Sequence, residues 1–394
     1  MNCGAHRIYL VRPFLYAFKE TSMSTLSRRQ ALALMTAAAA LPTSLSAQTT
    51  SSLAELAKAK GILFGSAVGA GNANALTGSF YDQKYLEILK RECAVLVPEN
   101  EHKIYVIAAQ PDKYNFEPGD RIAAFAKQNG MKLRGHTLFW NRVEFMPQWI
   151  KDYDFGPNPK KEAERFLRDY IKAVCEHYGE AVHSWDVVNE TIDPQTGNIR
   201  ETPFTKILGP DALRIAFEAA KEHAPHAQLV YNDYMSWEKG NETHRNGVLK
   251  LLRWFRDQNI TVNGMGIQSH IGNDGHIDQV QDKDWKAFVD EIVGMDYDLL
   301  ITEFDVNDKD LPTDPKVRDA AIAKAATRYL DMMLSYKQLK EFLCWGMCDK
   351  YTWLQGWTPR ADKTLQRSTP YDVDYKPKLL REALATAFKN ASPR

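Results

Sequence analysis

Two short runs of the chain set an acidic side chain directly behind apolar, β-branched residues: Ser184-Trp185-Asp186-Val187-Val188-Asn189-Glu190 and Leu299-Leu300-Ile301-Thr302-Glu303-Phe304-Asp305. Such runs favour short buried strands, and a carboxylate at the end of one is fixed by the strand while facing a cleft. A single Glu of this kind usually means a solvated surface. Two in equivalent places mean more, because paired carboxylates suit the cleavage of a glycosidic bond: one protonates the leaving oxygen and the other attacks or activates water. That division of labour needs one carboxyl to keep its proton and the other to stay ionised. His270 and Asp305 can keep Glu303 charged through a carboxylate–imidazole–carboxylate chain. Glu303 is therefore expected as the nucleophile and Glu190 as the acid/base.

For the two acids to meet, a fold must bring the ends of distant strands to one rim. Strand-like runs recur at 62–68, 93–98, 132–137, 182–188, 228–232, 264–268, 299–302 and 342–346. A leading helix over 53–60 precedes them, and amphipathic stretches at 81–91, 122–128, 160–177, 211–223, 247–257, 284–293, 318–334 and 379–388 alternate with them. Eight such alternations predict an α/β fold of the (β/α)8 TIM-barrel type in a single domain. A doubly wound open sheet is the alternative; it carries a Gly-rich phosphate turn after its first strand, and Phe64-Gly65-Ser66-Ala67-Val68-Gly69-Ala70-Gly71 lacks that spacing.

In such a barrel the functional groups gather at the C-terminal strand ends. Those ends offer Glu99, Asn100 and Lys103 after the second strand, His136 and Trp140 after the third, and Asn189 and Glu190 after the fourth. The fifth gives Asn232 and Asp233, the sixth Gln268 and His270, the seventh Glu303 and Asp305, and the eighth Trp345, Asp349 and Trp353. Three tryptophans offer apolar faces to pyranose rings, while Glu99, Asn100, Lys103, His136 and Gln268 offer donors and acceptors to hydroxyls.

The 394 residues carry 50 basic and 50 acidic side chains, and 44% are hydrophobic, as in a soluble globular protein with a large core. Zero net charge gives no general attraction to nucleic acid or an anionic membrane. A monomer that needs no cofactor and no metal is expected. The N-terminus differs from the rest: Ser27-Arg28-Arg29-Gln30-Ala31-Leu32 leads into an apolar run to Leu41 and then small residues to Ala47. A charged start, a short apolar stretch and a small-residue end make an export signal, here with the paired arginines of the twin-arginine type. Residues 1–47 are thus expected to be removed and 48–394 to form the catalytic domain, exported to the periplasm or beyond; Met23 is an alternative start. The apolar run is too short to span a membrane. Cys93, Cys175, Cys344 and Cys348 each sit in apolar stretches and read as core thiols, with at most one disulfide.

With these residues in order, the chain resembles glycoside hydrolase family ten, the (β/α)8 endo-β-1,4-xylanases. The resemblance runs from Gly65-Ser66-Ala67-Val68 through Pro98-Glu99-Asn100, Gly135-His136-Thr137-Leu138-Phe139-Trp140, Trp185 to Glu190, Asn232-Asp233-Tyr234, Gly266-Ile267-Gln268-Ser269-His270 and Ile301 to Asp305, ending at Trp345-Gly346. It implies retaining hydrolysis of xylan or xylo-oligosaccharides through a glycosyl-enzyme on Glu303, with Asn189 bonding the 2-hydroxyl of the −1 sugar. It also implies that Glu99, Asn100 and Lys103 hold the −2 xylose, with His136, Trp140, Gln268, Trp345 and Trp353 around −1 and −2. Related barrel glycosidases on β-glucan, and a xylo-oligosaccharide-binding protein without catalysis, are the alternatives. The chain departs from the family pattern at Asn141 and Val143, where the family has His and Gln, and between Arg142 and Met146, which is about two residues longer. His102 and Ile104 also stand where Met and Trp are usual. These departures are expected to alter the glycone subsites and leave both acids untouched.

Overall fold

The computed structural model describes residues 51–273 and 276–394; the expected export signal lies outside the described residues. The strands are β1 (Leu63–Val68), β2 (Val95–Pro98), β3 (Lys132–Trp140), β4 (Val182–Asn189), β5 (Gln228–Asp233), β6 (Gly264–Ile267), the two-residue β7 (His270–Ile271), β8 (Asp298–Val306) and β9 (Leu339–Cys344). Every pairing among them is parallel. The order runs β6-β5-β4-β3-β2-β1-β9-β8, and β6 pairs with β8, so the sheet closes on itself. This is the expected (β/α)8 barrel, with β7 as a short extension beyond β6.

The crossovers are amphipathic helices whose ends the sequence marks. A Ser52–Glu55 capping box opens α1 (Leu53–Lys58). The Asp82 side chain accepts from the backbone N–H groups of Lys84 and Tyr85 to start α2 (Gln83–Glu92). Then come α3 (Glu117–Gln128) and α4 (Pro159–Tyr178), which has proline in its first turn. In α4, Ala163, Leu167, Tyr170, Ile171, Val174 and Tyr178 are buried, a single 3.6-period stripe. The ring continues with α5 (Asp211–His223), α6 (Glu242–Asp257), α7 (Asp282–Gly294), α8 (Pro315–Met333) and α9 (Leu379–Asn390).

Strand alternation sends side chains to two different places. Phe64, Leu96 and Phe342 face outward into the main helix-backed core, whereas Ala67, Val95, Val97, Leu343 and Trp345 form a separate cluster inside the barrel. Opposite that apolar interior lies a charged one. Arg134 on β3 is fully buried; its Nη2 donates to Asp186 Oδ1 at 2.5 Å and its Nε lies 3.2 Å from Glu341 Oε2. Unpaired charges would be costly at such depth, so each carboxylate here is met by a cation or an imidazole.

The differences from the sequence expectation lie at strand ends. β3 continues past Thr137 through Leu138, Phe139 and Trp140, because Phe139 and Trp140 keep pairing with Val188 and Asn189. β8 starts at Asp298 and continues past Thr302 through Val306, so Glu303 lies within a strand rather than at its tip; Phe304 turns outward onto Tyr329 and Phe342. β9 begins three residues early, at Leu339, and ends at Cys344, leaving Trp345 and Gly346 in the loop. Among the described residues, Cys93, Cys175, Cys344 and Cys348 are buried free thiols, and no described helix is long and apolar enough to cross a membrane.

Candidate active site

The C-terminal mouth of the barrel opens into a cleft of about 390 Å³. Of the thirteen residues singled out in the sequence, Glu99, Asn100, Lys103, His136, Trp140, Glu190, Gln268, His270, Glu303, Trp345 and Trp353 line it. The other two, Asn189 and Asp305, are buried beside it. Asp233 and Asp349, also at strand ends, do not line the cleft: Asp233 is buried against His244 and Tyr231, and Asp349 against Lys378 and Thr369.

Glu303 sits on the cleft floor with its side chain 6% exposed. Its Oε1 accepts from Asn232 Nδ2 at 2.8 Å, and its Oε2 lies 3.4 Å from His270 Nε2. The other ring nitrogen of His270 is 2.9 Å from Asp305 Oδ1, and Asp305 Oδ2 accepts from Trp353 Nε1 at 2.7 Å. The chain Glu303–His270–Asp305 expected from the sequence is thus present and extends one residue further. Burial pushes the Glu303 carboxyl up, but His136 and the His270 hydrogen bond outweigh it and hold the group at about 2. Burial pushes His270 down, whereas Asp305 and Glu303 on either side raise it to about 10. Near neutral pH, therefore, a cationic imidazole is clamped between two carboxylates, and Glu303 is ionised.

Asn232 is where the two acids connect. Its Nδ2 reaches both Glu303 and Asn189 Oδ1, the latter at 2.9 Å, while its Oδ1 accepts from Thr302 Oγ1 at 2.7 Å. The space it occupies depends on a glycine: a Cβ on Gly266 of β6 would lie 2.4 Å from Asn232 Oδ1. Gln268 Nε2 then donates to Glu190 Oε1 at 3.1 Å and to Asn189 Oδ1 at 3.3 Å.

Glu190 follows the last residue of β4 with φ at +51°, a left-handed backbone that is uncommon for a residue with a side chain. Its side chain is 12% exposed, twice the figure for Glu303. Oε2 accepts from Arg142 Nη1 at 2.9 Å.

The wall near β2, β3 and β9 is built for hydroxyl-rich rings. Lys103 Nζ lies 4.5 Å from the Trp140 ring centroid and 5.8 Å from that of Trp345. Trp140 stacks on Phe145 at 4.1 Å, nearly parallel. His136 Nδ1 is held 2.9 Å from Asp186 Oδ2, which turns the ring edge towards the cleft. Glu99 is raised to about 8, first by burial and then by the neighbouring Glu101 carboxylate. At neutral pH it is a carboxylic acid that can donate as well as accept.

Several lining residues were not singled out as binding groups in the sequence: Thr77, Tyr105, Arg142, Phe145, Tyr234, Asn273 and Trp357. Tyr105 donates to Asn100 Oδ1 at 2.5 Å, and Trp357, 56% exposed, leans on Trp353 with centroids 5.7 Å apart. For Trp357 the signal was its spacing of four from Trp353; Arg142 carried none, since a loop arginine ordinarily reaches solvent.

The departures from the family pattern divide between buried, exposed and cleft-lining positions, with Arg142 and Phe145 on the cleft. Asn141 is buried and ties to the loop after β4, accepting from Thr202 Oγ1 at 3.1 Å and donating to the Arg200 carbonyl at 3.3 Å. Val143 points to solvent, and His102 is buried against Tyr178 and Trp185, away from the cleft. The change that reaches the chemistry is Arg142, on Glu190.

Comparison with known proteins agrees with this fold. Endo-1,4-beta-xylanase B of Thermotoga neapolitana is 30% identical over 298 residues, 75% of this chain and 81% of its own length. Endo-1,4-beta-xylanase A of Caldicellulosiruptor saccharolyticus is 32% identical over 319 residues, 77% of this chain and 89% of its own. Among solved structures, xylanase 10B from Thermotoga petrophila RKU-1 in complex with xylobiose superposes with a TM-score of 0.76 at 30% identity, covering 86% of this chain and 97% of that one. The native xylanase 10B from Thermotoga maritima gives 0.75 at the same identity, over 86% and 98%. The profile of glycosyl hydrolase family 10 matches residues 52–387, which is almost the whole described barrel together with both acids and the residues between them, and the chain belongs to that family.

Proposed function

We propose that this enzyme cleaves internal β-1,4-xylosidic bonds of xylan or xylo-oligosaccharides with retention of configuration, using Glu303 as nucleophile and Glu190 as acid/base. The observation that carries the assignment of roles is the asymmetry of the two carboxylates. Glu303 is buried, hydrogen-bonded by Asn232, ion-paired with His270 and held at about 2, which suits a group that must be ionised to attack.

In the first step a Glu303 oxygen bonds to the anomeric carbon as the glycosidic bond breaks, and the leaving oxygen takes the proton of Glu190. In the second, water gives a proton to the Glu190 carboxylate and its oxygen displaces Glu303. Asn189 accepts from Asn232 and Gln268 through Oδ1, which orients its Nδ2 as a donor for the 2-hydroxyl. The membership of family 10 and the names of its xylan-cleaving relatives support the substrate.

The test is to record which anomer first appears from xylotetraose, alongside product profiles on xylan and on a cellulose derivative. The β anomer and preference for xylan are expected; initial α product or equal action on cellulose would overturn the reading. The twin-arginine-like stretch around Arg28 and Arg29 supports export to the periplasm or beyond, which cell fractionation of the full chain checks.

A further inference from the structure

Both oxygens of the Glu190 carboxylate are occupied by donors. Gln268 Nε2 and, more distantly, Asn189 Nδ2 meet Oε1 at 3.1 and 3.5 Å, and Arg142 Nη1 meets Oε2 at 2.9 Å. An amide can turn over and offer its oxygen, but a guanidinium has five N–H groups and no acceptor. A proton on Glu190 Oε2 and the Arg142 contact therefore disfavour one another, because the cation stabilises the carboxylate and offers the proton no acceptor. The pairing favours the base form of Glu190, and that oxygen carries the proton of the first step more readily once Arg142 lets go.

The structure also shows where Arg142 can go. Its Nε and Nη2 already lie 3.3 and 3.2 Å from Glu144 Oε1, and the guanidinium lies over the Phe145 ring, 5.4 Å from its centroid. Glu144 is more than half exposed, whereas Asn141, at the root of the same loop, is pinned by the Asn189 carbonyl and the 200–202 segment. The side chain thus has a fixed base and two anions within reach, one of them the acid/base itself.

The other charged or titratable groups around Glu190 are Tyr234 after β5, with Arg200 on its hydroxyl, His270 after β6 and Glu303 on β8. Of these and the two loop charges, Arg142 alone puts a charged atom in hydrogen-bond contact with the Glu190 carboxylate among the described residues.

We infer that Arg142 is a positioning residue that pairs with Glu190 while the leaving-group side of the cleft is empty and yields to Glu144 when a sugar enters there. Resting on the xylanase reading above, this ties the proton-donating form of the acid to occupancy of the leaving-group subsite. When the proton has passed to the leaving oxygen and that sugar departs, Arg142 returns to the carboxylate that then activates water.

The test compares wild type, Arg142→Met and Arg142→Lys on two substrates across pH. Xylotetraose needs a proton on its leaving oxygen; 2,4-dinitrophenyl xylobioside does not. With Met at 142, the alkaline limb of kcat/KM on xylotetraose should move to higher pH, so that at the pH where the wild type has fallen to half the variant keeps about twofold more of its own maximum. Lys, which can still pair, should restore the wild-type limb, and the dinitrophenyl substrate should show no such displacement. A limb unmoved by Met, moved equally on both substrates, or equally displaced by Lys would overturn the inference. Failure of the wild type to cleave xylotetraose would instead overturn the xylanase reading.

Discussion

Glu303 and Glu190 are the same side chain on the same rim, yet their surroundings have opposite designs. Glu303 is enclosed by a sequence of fixed groups, His270, Asp305 and Trp353, each held by the next, with Asn232 on its other oxygen. Glu190 meets the Arg142 guanidinium, shared with Glu144, on one side and the Gln268 amide on the other, and its side chain is more open to the cleft. A nucleophile needs one charge state throughout the approach to the anomeric carbon, whereas an acid/base must change state twice per turnover. Rigid, charged contacts serve the first need and would obstruct the second.

The largest test of that contrast removes the proposed nucleophile. Glu303→Ala should lower kcat on xylotetraose by about 10⁵-fold or more, by the scale of deleting a covalent nucleophile, whatever the leaving group. Glu190→Ala should lose about 10²- to 10⁴-fold on xylotetraose, but in the first step it should largely spare dinitrophenyl xylobioside, which leaves without a proton. Stopped-flow release of dinitrophenolate separates the two; equal losses on both substrates in the Glu190 variant would mean that the roles are not divided as argued.

Much of this contrast was legible before any coordinates. The apolar runs into Glu190 and Glu303 marked their strands, and His270 and Asp305 are residue types that would hold one acid ionised; both lie where that reading needs them. The buried pair of Arg134 and Asp186 beneath His136 was not read from the sequence, because only the register of β3 on β4 brings the two together. What was not legible was Arg142. An arginine in a loop ordinarily reaches solvent, and only the fold of the Val143–Phe145 turn and the anchoring of Asn141 aim it at Glu190. Strand ends were blurred for a related reason: Glu303 was read as a tip because it is charged, but outward packing of Phe304 keeps β8 going.

A finer probe of the rigid side is His270→Asn, which removes the cation while keeping a polar side chain. Loss of a charged donor from the nucleophile should cost about 10²-fold in kcat/KM near pH 6. The acid limb should also rise, since Glu303 would no longer be held at about 2 and would move towards the ordinary carboxylate range of about 4.3. Stability should change with pH in a matching way. His270 is raised to about 10 in the fold, above its value of about 6.5 in an unfolded chain, so its contribution is complete below that lower value and is lost as pH climbs through about 10. The depressed Glu303 contributes above the ordinary carboxylate range and loses that contribution as pH falls through about 2. Melting temperature against pH should therefore fall on the alkaline side more steeply in the wild type than in His270→Asn; parallel curves would mean that the relay does not titrate as a unit.

The smallest expected effect tests how far the rigidity extends. Trp353 lies at the end of the relay and touches Asp305 through one indole N–H at 2.7 Å, so Trp353→Phe keeps an aromatic ring in the cleft and deletes that single donor. Asp305 would keep His270, and Glu303 would keep both of its own partners, so the loss must pass through two side chains before it reaches the reacting atom. About 1 kcal/mol, or roughly fivefold in kcat, is the scale of one hydrogen bond, and it should appear as an upward drift of the acid limb, in the direction of His270→Asn but smaller. If the change appears in KM alone with the limb unmoved, Trp353 serves as a wall for the sugar and the rigid side ends at Asp305. If kcat and the limb move together, the relay is four residues deep, and the nucleophile is held by groups that never meet the substrate as well as by one that does.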